Sequence, residues 1–415
     1  MTGDSPAPRV DPATMEHYVE TLGAIGQQPG GGIERPVFGP AWVAARQQLA
    51  EWMRSVGLEP REDAVGNLFG RLPGTEDSSR TILTGSHVDT VKLGGKFDGA
   101  LGVLAALAAL AALRQRLGRP RRSLEMVALC EEEGSRFAAR FWGTRGMLGM
   151  IDEGELDHLR DDTGTTIGDA MAAVGLDPAL FRSAVRTDLD AFIELHIEQG
   201  RILADAGTEL GIVDAITGIF SRRILVEGRT DHAGTTPMDL RRDALQGAAE
   251  MALAVTHLVE ETGRPAVATA GKWQVEPGAW NIVPGRATFW LDIRHPDEAT
   301  KQRLAAAARE TAERIAARRG LTVSFTTLQD VPPKAMDARL KSILVEAVEG
   351  HGASHQPMVS GAGHDSQVMA QKVPTAMLFV PSVDGRSHSA AEYTSPEDAA
   401  RGATVLAAAL HQLAY

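Results

Sequence analysis

The feature that most constrains the fold is an alternation of helix-like and strand-like segments, which is interrupted once. Apolar residues recur at helical spacing over 41–56 and 100–117, and short apolar runs typical of buried strands cover 81–85, 124–130 and 192–196. Strands that alternate with helices are typical of α/β proteins with a mostly parallel sheet. The sequence therefore predicts an α/β domain of this kind.

The interruption covers residues 213–329, where the pattern of segments changes. Strand-like and helix-like segments follow one another there in the order βαββαβ, which is typical of a compact two-layer α+β unit. The earlier pattern resumes afterwards. We therefore predict a discontinuous domain formed by residues 1–212 and 330–415, and a second domain, residues 213–329, inserted into it.

Composition narrows the class of protein. A chain of 415 residues, of which 43% are hydrophobic and 23% charged, is typical of a globular protein with more than one domain. The net charge of −12 argues against nucleic-acid binding, which normally uses a basic patch. The single cysteine is typical of a reducing compartment. Residues 1–13 lack a signal pattern, and the apolar run 100–113 is too short for a membrane span, so we expect a cytoplasmic protein without a membrane partner.

Six side chains with metal-binding or acid–base chemistry stand at the ends of strand-like runs or in Gly- and Ser-containing loops. Three imidazoles, one aspartate and one glutamate make five metal ligands, and one further glutamate is left over. Two zinc-like ions that share a bridging carboxylate need about such a set, and the remaining carboxylate can act as general base toward water. The sequence therefore predicts a dinuclear metallohydrolase built from His87, Asp98, Glu132, Glu133, His196 and His388.

Two of these motifs have a structural alternative that the sequence leaves open. His87 and Asp89 are two apart at the end of a strand and share a face, so Asp89 can orient His87 as a ligand, or both can belong to a surface turn. Asp98 precedes Gly99 and a helix, which makes it a good helix cap as well as a candidate bridging ligand.

The other candidates gain weight from their combination. Residues 131–133 are three adjacent glutamates after a strand-like run; they repel unless positive charge compensates, which favours Glu133 as ligand and Glu132 as base over a solvated acidic turn. Taken singly, His196 would be a partly buried side chain and His388 a surface loop residue. Only the whole constellation favours a metal centre.

Other polar positions suggest substrate contacts rather than ligands. In the inserted segment, His232 lies in TDHAGTTPM, Asn281 in NIVPG and Arg294 in DIRHP. An arginine at a strand end suits bidentate binding of a carboxylate, although a surface ion pair is the alternative, as a turn is for Asn281. Gly363 and His364 in SGAGHD can present backbone N–H groups and an imidazole.

Together the motifs resemble a known family. GSHVDTVKLGGKFDGALGV, EEEGSRF, ELHIEQG, DHAGTTPM, NIVPG, LDIRHP, SGAGHD and SHSAAEYTS are similar, in this order, to the allantoate amidohydrolase, N-carbamoyl-L-amino-acid hydrolase and β-ureidopropionase group of the co-catalytic-zinc aminopeptidase-like superfamily. The similarity runs from about residue 31 to the C-terminus. It implies an aminopeptidase-like catalytic domain, an inserted dimerisation or lid domain, a homodimer, and two divalent metal ions per subunit, with zinc, manganese, cobalt and nickel all suited to such ligands.

The resemblance also implies a role for each matching residue. The metal ligands would be His87, Asp98 as the bridge, Glu133, His196 and His388. Glu132 would be the catalytic base, with Asp89 and His232 as further catalytic residues. In this superfamily the inserted domain often lends a residue to the neighbouring subunit's site. The implied substrate contacts are Gln199, His232, Asn281, Arg294, Gly363 and His364.

The expected reaction is hydrolysis of a ureido or carbamoyl group on a small molecule that carries a carboxylate. RFWGTRGMLG and the ending LHQLAY are similar to allantoate amidohydrolases, which predicts conversion of allantoate to ureidoglycine, ammonia and carbon dioxide. Arg386, beside His388, departs from the apolar residue typical of the group. The alternatives are an N-carbamoyl-L-amino-acid hydrolase or β-ureidopropionase, a dipeptidase-like enzyme, and a non-catalytic binding module, against which the intact Glu132 argues.

Overall fold

The computed structural model describes residues 8–415; residues 1–7, which open the segment where no signal pattern was predicted, lie outside this description. The chain divides into two compact units. The first comprises the residues up to Asp214, Met336–Met358 and Ala362–Tyr415, and the second comprises Ala215–Ala335 and Val359–Gly361. The prediction placed Val359–Gly361 in the first domain, together with the rest of 330–415.

The strands of the described residues differ widely in length. In chain order they are β1 (Glu59–Glu62), β2 (Leu68–Leu72), β3 (Asp77–His87), β4 (Arg122–Leu129), β5 (Leu189–Ile197), β6 (Leu210–Ile216), β7 (Gly218–Glu227), β8 (Asp231–His232), β9 (Val267–Glu276), β10 (Ile282–Val283), β11 (Arg286–His295), β12 (Thr322–Val331), β13 (Lys334–Ala335), β14 (His355–Ser360) and β15 (Thr375–Val380).

The helices alternate with these strands, and short 3₁₀ segments cover Pro178–Ala184, Met238–Leu240 and Val383–Gly385. The α-helices are α1 (Pro12–Gly23), α2 (Pro40–Ser55), α3 (Ala100–Leu117), α4 (Trp142–Met147), α5 (Glu155–His158), α6 (Ile167–Ala173), α7 (Ile202–Ala206), α8 (Ala244–Thr262), α9 (Glu298–Arg319), α10 (Ala338–Gly350), α11 (Asp365–Met369) and α12 (Pro396–Ala414).

The first unit is built on one sheet in the order β1-β2-β4-β3-β5-β15-β6, and β14 also pairs with β6. The four central strands, β4, β3, β5 and β15, are parallel, so the predicted parallel character is confirmed for the centre of the sheet. Toward both edges the pairing is antiparallel. On one side the cause is local: the short connection from β1 to β2 permits only an antiparallel hairpin.

Helix α3 illustrates how the core of the first unit forms. Its Ala- and Leu-rich sequence is apolar on all faces, and most of its residues are buried. A helix without a polar face belongs in a core. Although α3 is long and apolar enough by composition to cross a membrane, two thirds of it is buried inside the protein, as expected for a core helix.

The parallel register brings the candidate ligands to one edge of the sheet. His87 ends β3 opposite Leu129 at the end of β4, after which the three glutamates follow. His196 lies near the end of β5, opposite Phe379 of β15. Because the carboxyl ends of neighbouring parallel strands meet at the same edge, this is where open α/β sheets bind ligands.

The second unit is an antiparallel sheet in the order β12-β7-β11-β9, with helices α8 and α9. Alternate residues of β11 are buried against these helices, as the two-residue period of a strand requires: Ala287, Phe289, Leu291 and Ile293. The elements follow the predicted βαββαβ order. The two-residue strands β8 and β10, which form a separate ribbon, were not predicted because two residues carry no periodicity.

Candidate metal centre

The carboxylate of Asp98 lies between two groups of potential metal ligands. Its Oδ1 atom is 3.5 Å from Nε2 of His87 and 3.3 Å from Nε2 of His196. Its Oδ2 atom is 3.3 Å from Nε2 of His388, which in turn is 3.5 Å from Oε1 of Glu133. In each group, one ligand atom per residue lies within 4.8 Å of the others. The five predicted ligands therefore converge as two triads that share Asp98.

The start of α3 explains why Asp98 is available as a ligand. The helix has Gly99 at its N-cap position and no side-chain cap, so the alternative in which Asp98 caps the helix is wrong. Gly99 has a φ of 63°, and a Cβ atom there would lie 2.3 Å from Nε2 of His87. Only glycine combines this backbone conformation with such a close approach of the imidazole.

The two buried imidazoles are oriented by backbone carbonyls. Nδ1 of His87 is 3.0 Å from the carbonyl oxygen of Asp89, and Nδ1 of His196 is 2.9 Å from that of Ile197. A carbonyl can only accept, so each Nδ1 carries a proton and donates it. In the neutral ring the lone pair is then on Nε2, the atom that faces Asp98.

The carboxylate of Asp89 has a different contact from the one predicted. Its Oδ1 is 3.8 Å from Nδ1 of His87, beyond hydrogen-bond distance, because the backbone carbonyl of the same residue reaches the ring first. The carboxylate instead accepts the backbone N–H groups of Glu132 at 3.2 Å and Glu133 at 3.1 Å. Asp89 therefore shapes the loop that presents both glutamates.

Glu132 is buried beside the first triad, with Oε2 3.9 Å from Nε2 of His87. Burial raises the pKa of Glu132 well above its ordinary value; the charge of His87 opposes this rise, and the carboxylates of Glu133, Asp365 and Asp89 add to it. Burial likewise raises the pKa of Glu133. A carboxylate with raised proton affinity next to a ligand cluster is well placed to act as a general base.

The donor set fits two divalent cations. Imidazole and carboxylate are ligands for zinc and related ions, and crowded buried carboxylates are costly unless positive charge offsets their repulsion. The Oε1 atom of Gln199 is also buried without a hydrogen-bond partner among residues 8–415, although its Nε2 contacts Asp98. The geometry supports a centre in which one triad holds each ion.

Three residues around the cluster have left-handed backbone conformations, although none is a glycine. Glu131 has a φ of 53°, Gln199 of 58° and His388 of 55°. Each such conformation costs about 1–3 kcal/mol and persists only where surrounding contacts enforce it. Their concentration here is typical of a functional site.

Gln199, His364 and Gly363, predicted as substrate contacts, lie in the first unit. Nε2 of Gln199 donates to Oδ2 of Asp98 at 2.7 Å, so this side chain contacts the shared carboxylate. His364 is buried with its ring edge-on to His196, at a centroid distance of 4.5 Å. Burial, and then the charge of His196, lower the pKa of His364 well below its ordinary value, so the ring is neutral. Gly363, which directly precedes His364, is half-buried.

His232 and Asn281 lie together in the second unit. His232 lies on β8, Asn281 directly precedes β10, with which β8 pairs, and the carbonyl of Asn281 accepts the N–H group of Ala233 at 3.0 Å. Nδ1 of His232 accepts the N–H groups of Gly234 at 3.0 Å and Thr235 at 3.2 Å. The ring proton of neutral His232 is therefore on Nε2, which can donate to a ligand.

Arg294, also in the second unit, is held by two contacts. Its Nε donates to Oδ1 of Asp292 at 2.7 Å and its Nη1 to the carbonyl of Gly361 at 2.8 Å. Oδ2 of Asp292 accepts from Ser221 Oγ at 3.0 Å. The ion pair considered for Arg294 exists, and it fixes the guanidinium. The proposed roles of Arg294, His232 and Asn281 in binding substrate remain predictions.

Two residues near the centre were not singled out from the sequence. Ser387 and Glu392 contact Asp98 or the backbone beside it. Both lie in the same short motif as His388, SHSAAEYTS, and this shared motif is the signal that could have identified them.

Comparisons with known proteins place the chain in a family. The family described as Peptidase family M20/M25/M40 matches residues 83–412. An allantoate amidohydrolase of Bacillus subtilis is 41% identical over 402 residues, which cover 97% of this chain and 98% of the relative. An N-carbamoyl-L-amino-acid amidohydrolase of Paenarthrobacter aurescens is 39% identical over 91% of this chain and 92% of the relative.

Among solved structures, an amidase of the hydantoinase/carbamoylase family from Burkholderia multivorans has a TM-score of 0.92 at 35% identity, with 97% of this chain and 98% of that chain covered. This similarity confirms the predicted fold class over nearly the whole chain. The resemblance noted in the motifs is confirmed as well. The chain belongs to the peptidase M20/M25/M40 family, in the branch that includes the allantoate and N-carbamoyl-L-amino-acid amidohydrolases.

Proposed function

We propose that this protein is a dinuclear metal-dependent amidohydrolase that cleaves a ureido group of allantoate, giving ureidoglycine, ammonia and carbon dioxide. The observation that carries the proposal is the pair of ligand triads sharing Asp98 beside the buried Glu132. The identity of 41% to an allantoate amidohydrolase supports the choice of substrate.

In this proposal each triad holds one divalent ion. His87, Asp98 and His196 would hold one, and Asp98, Glu133 and His388 would hold the other. When bound, the ions supply Lewis-acid polarisation of a carbonyl and acidify water. The imidazole and carboxylate donors suit zinc, manganese, cobalt and nickel alike.

Glu132 moves the proton in the reaction. It accepts a proton from the water that attacks the ureido carbon, and it returns that proton to the terminal nitrogen, which leaves as ammonia. The carbamate that remains loses carbon dioxide and leaves ureidoglycine. Asp89 supports this step by holding the backbone N–H group of Glu132. His232 would donate from Nε2 to the oxygen on which negative charge develops.

Arg294 would bind the carboxylate of the substrate. Asp292 and Gly361 already fix its guanidinium, so binding loses less side-chain freedom than it would with a mobile arginine. Gln199, Asn281, Gly363 and His364 would supply further polar contacts. Allantoate needs such contacts because its second ureido group is polar, whereas most N-carbamoyl amino acids carry an apolar side chain there.

We also propose that the protein is a cytoplasmic homodimer that binds neither nucleic acid nor membrane. Strand β9 is an edge of the second unit's sheet, and an edge strand tends to be paired or covered. Val267 on β9 and Leu253 on α8 are 51% and 62% exposed, which suits a two-fold interface. In such a dimer, His232 would act in the site of the partner subunit.

A second candidate function is hydrolysis of N-carbamoyl-L-amino acids. The relative from Paenarthrobacter aurescens favours it, and the same ligand triads, Glu132 and Arg294 would serve both reactions. The two functions differ only in the pocket that receives the remainder of the substrate.

The test is ammonia release by the purified, metal-loaded protein with allantoate, N-carbamoyl-L-methionine and N-carbamoyl-β-alanine. We expect kcat/KM to be about 5–150-fold higher for allantoate, because a buried polar group left unpaired costs about 1–3 kcal/mol. The same preparation should sediment as a dimer. Equal or faster turnover of N-carbamoyl-L-methionine would overturn the substrate assignment alone, and no turnover of any of the three would overturn the proposed function.

A further inference from the structure

The carboxylate of Glu392 lies under the loop that presents Asp98. Its Oε1 atom accepts the backbone N–H groups of Phe97 and Asp98, both at 2.8 Å. Its Oε2 atom is 3.2 Å from Oγ of Ser387. Glu392 is only 4% exposed. One buried carboxylate therefore joins the loop of Asp98 to the residue that precedes His388.

Ser387 extends this connection to the side chain of Asp98. Its Oγ atom is 2.9 Å from Oδ2 of Asp98, and Nε2 of Gln199 is 3.2 Å from the same Oγ and 2.7 Å from the same Oδ2. The Ser387 hydroxyl has one proton, which it can donate to either Asp98 or Glu392, and it can accept from Gln199 at the same time. Glu392 thus holds the backbone of Asp98, and Ser387 lies within hydrogen-bond distance of both carboxylates.

Gly95 leaves the space that Glu392 occupies. A Cβ atom at this position would lie 2.2 Å from Oε1 of Glu392, far inside van der Waals contact. The backbone of Gly95 is not in the left-handed region, so steric room, and not conformation, explains a glycine here. The loop before Asp98 is therefore shaped around the glutamate.

These contacts differ from those of an ordinary loop-stabilising carboxylate, because both oxygen atoms of Glu392 contact loops that carry candidate ligands. Oε1 contacts the loop of Asp98, and Oε2 contacts the loop of His388. A ligand site needs its side chains held to about 0.5 Å, and partners outside the ligands commonly change metal affinity 10–100-fold. We propose that Glu392 is a positioning residue that fixes Asp98 and the His388 loop in the geometry that binds the two ions. This inference rests on the proposed metal centre.

The test measures zinc affinity, by competition with a chromophoric chelator, together with thermal unfolding of the metal-free protein. Glu392→Ala removes the acceptor for two buried N–H groups and should weaken zinc binding about 10–100-fold. Gly95→Ala should weaken it similarly, because the added methyl displaces Glu392. Glu392→Gln retains a carbonyl acceptor and should stay close to wild type.

Asp63→Ala is the matched control. The carboxylate of Asp63 also accepts several backbone N–H groups, those of Val65, Gly66 and Asn67, but in a turn that carries no candidate ligand. The Asp63→Ala variant should have a lower unfolding temperature than wild type and an unchanged zinc affinity.

The outcomes separate the inference from the proposed function. Wild-type protein that binds no zinc would overturn both. If Glu392→Ala and Gly95→Ala bind two ions as tightly as wild type does, only the positioning role of Glu392 is overturned. An equal loss of affinity in Asp63→Ala would also overturn it, since general loosening would then suffice. If Glu392→Ala does not fold, the contrast between Gly95→Ala and Glu392→Gln decides.

Discussion

Glu132→Gln is expected to lower kcat by about 10²–10⁴-fold, the usual contribution of a general acid–base residue. The amide has nearly the shape of the carboxylate but cannot carry a proton from water to the leaving nitrogen. The support from Asp89 persists, because Asp89 accepts the backbone N–H group of residue 132 and does not depend on its side chain. Metal content and KM should therefore change little.

The measurement is steady-state ammonia release, with metal content determined on the same samples. Glu131→Gln is the control, because Glu131 is the buried glutamate next to Glu132. Its Oε1 atom accepts the N–H group of Phe137, and the amide oxygen of glutamine can keep this bond. It should retain most of the turnover. Near-full turnover of Glu132→Gln would assign the base to another residue.

Arg294→Ala should raise KM strongly while the ions remain bound. Loss of a hydrogen bond between charged groups costs about 1.5–3 kcal/mol, which corresponds to roughly 10–150-fold in affinity. The contacts with Asp292 and Gly361 leave part of the guanidinium fork for a substrate carboxylate. Arg294→Lys should restore only part of the loss, because an ammonium lacks the planar fork.

Initial rates over a range of substrate concentrations, with metal content as the second readout, test this expectation. Arg223→Ala offers a control, since Arg223 is an exposed arginine on β7 of the same sheet and donates to Thr326. It should leave KM unchanged. An unchanged KM in Arg294→Ala would remove Arg294 from the substrate site.

Elements with strong periodicity and clear terminal signals could be predicted from the sequence. Helical spacing over 298–319 predicts helix α9 with its observed bounds, because the Asp297 side chain caps its first turn and Gly320, with a φ of 65°, ends it. Helical spacing over 241–262 predicts helix α8, but the helix begins at Ala244, since Asp243 is its cap. A cap position is set by one hydrogen bond, which hydrophobic spacing does not reveal.

The features that the sequence could not predict depend on contacts between distant segments. The antiparallel edges of the first sheet follow from which strands meet, and the ribbon of β8 and β10 is too short to show a pattern. In the candidate centre, residue types at strand ends predicted five ligands, which the structure brings close together. The choice of the Asp89 carbonyl over its carboxylate, the uncapped start of α3 and the contacts of Glu392 are matters of geometry.

Anomalous diffraction from crystals of the wild-type protein grown with zinc or manganese tests the dinuclear centre itself. It should show two ions per chain about 3.5–4 Å apart, the separation typical of two-metal sites. Asp98 should contact both ions, with His87 and His196 on one, and Glu133 and His388 on the other. A single ion, or two ions bound without Asp98 and His388, would contradict the dinuclear centre.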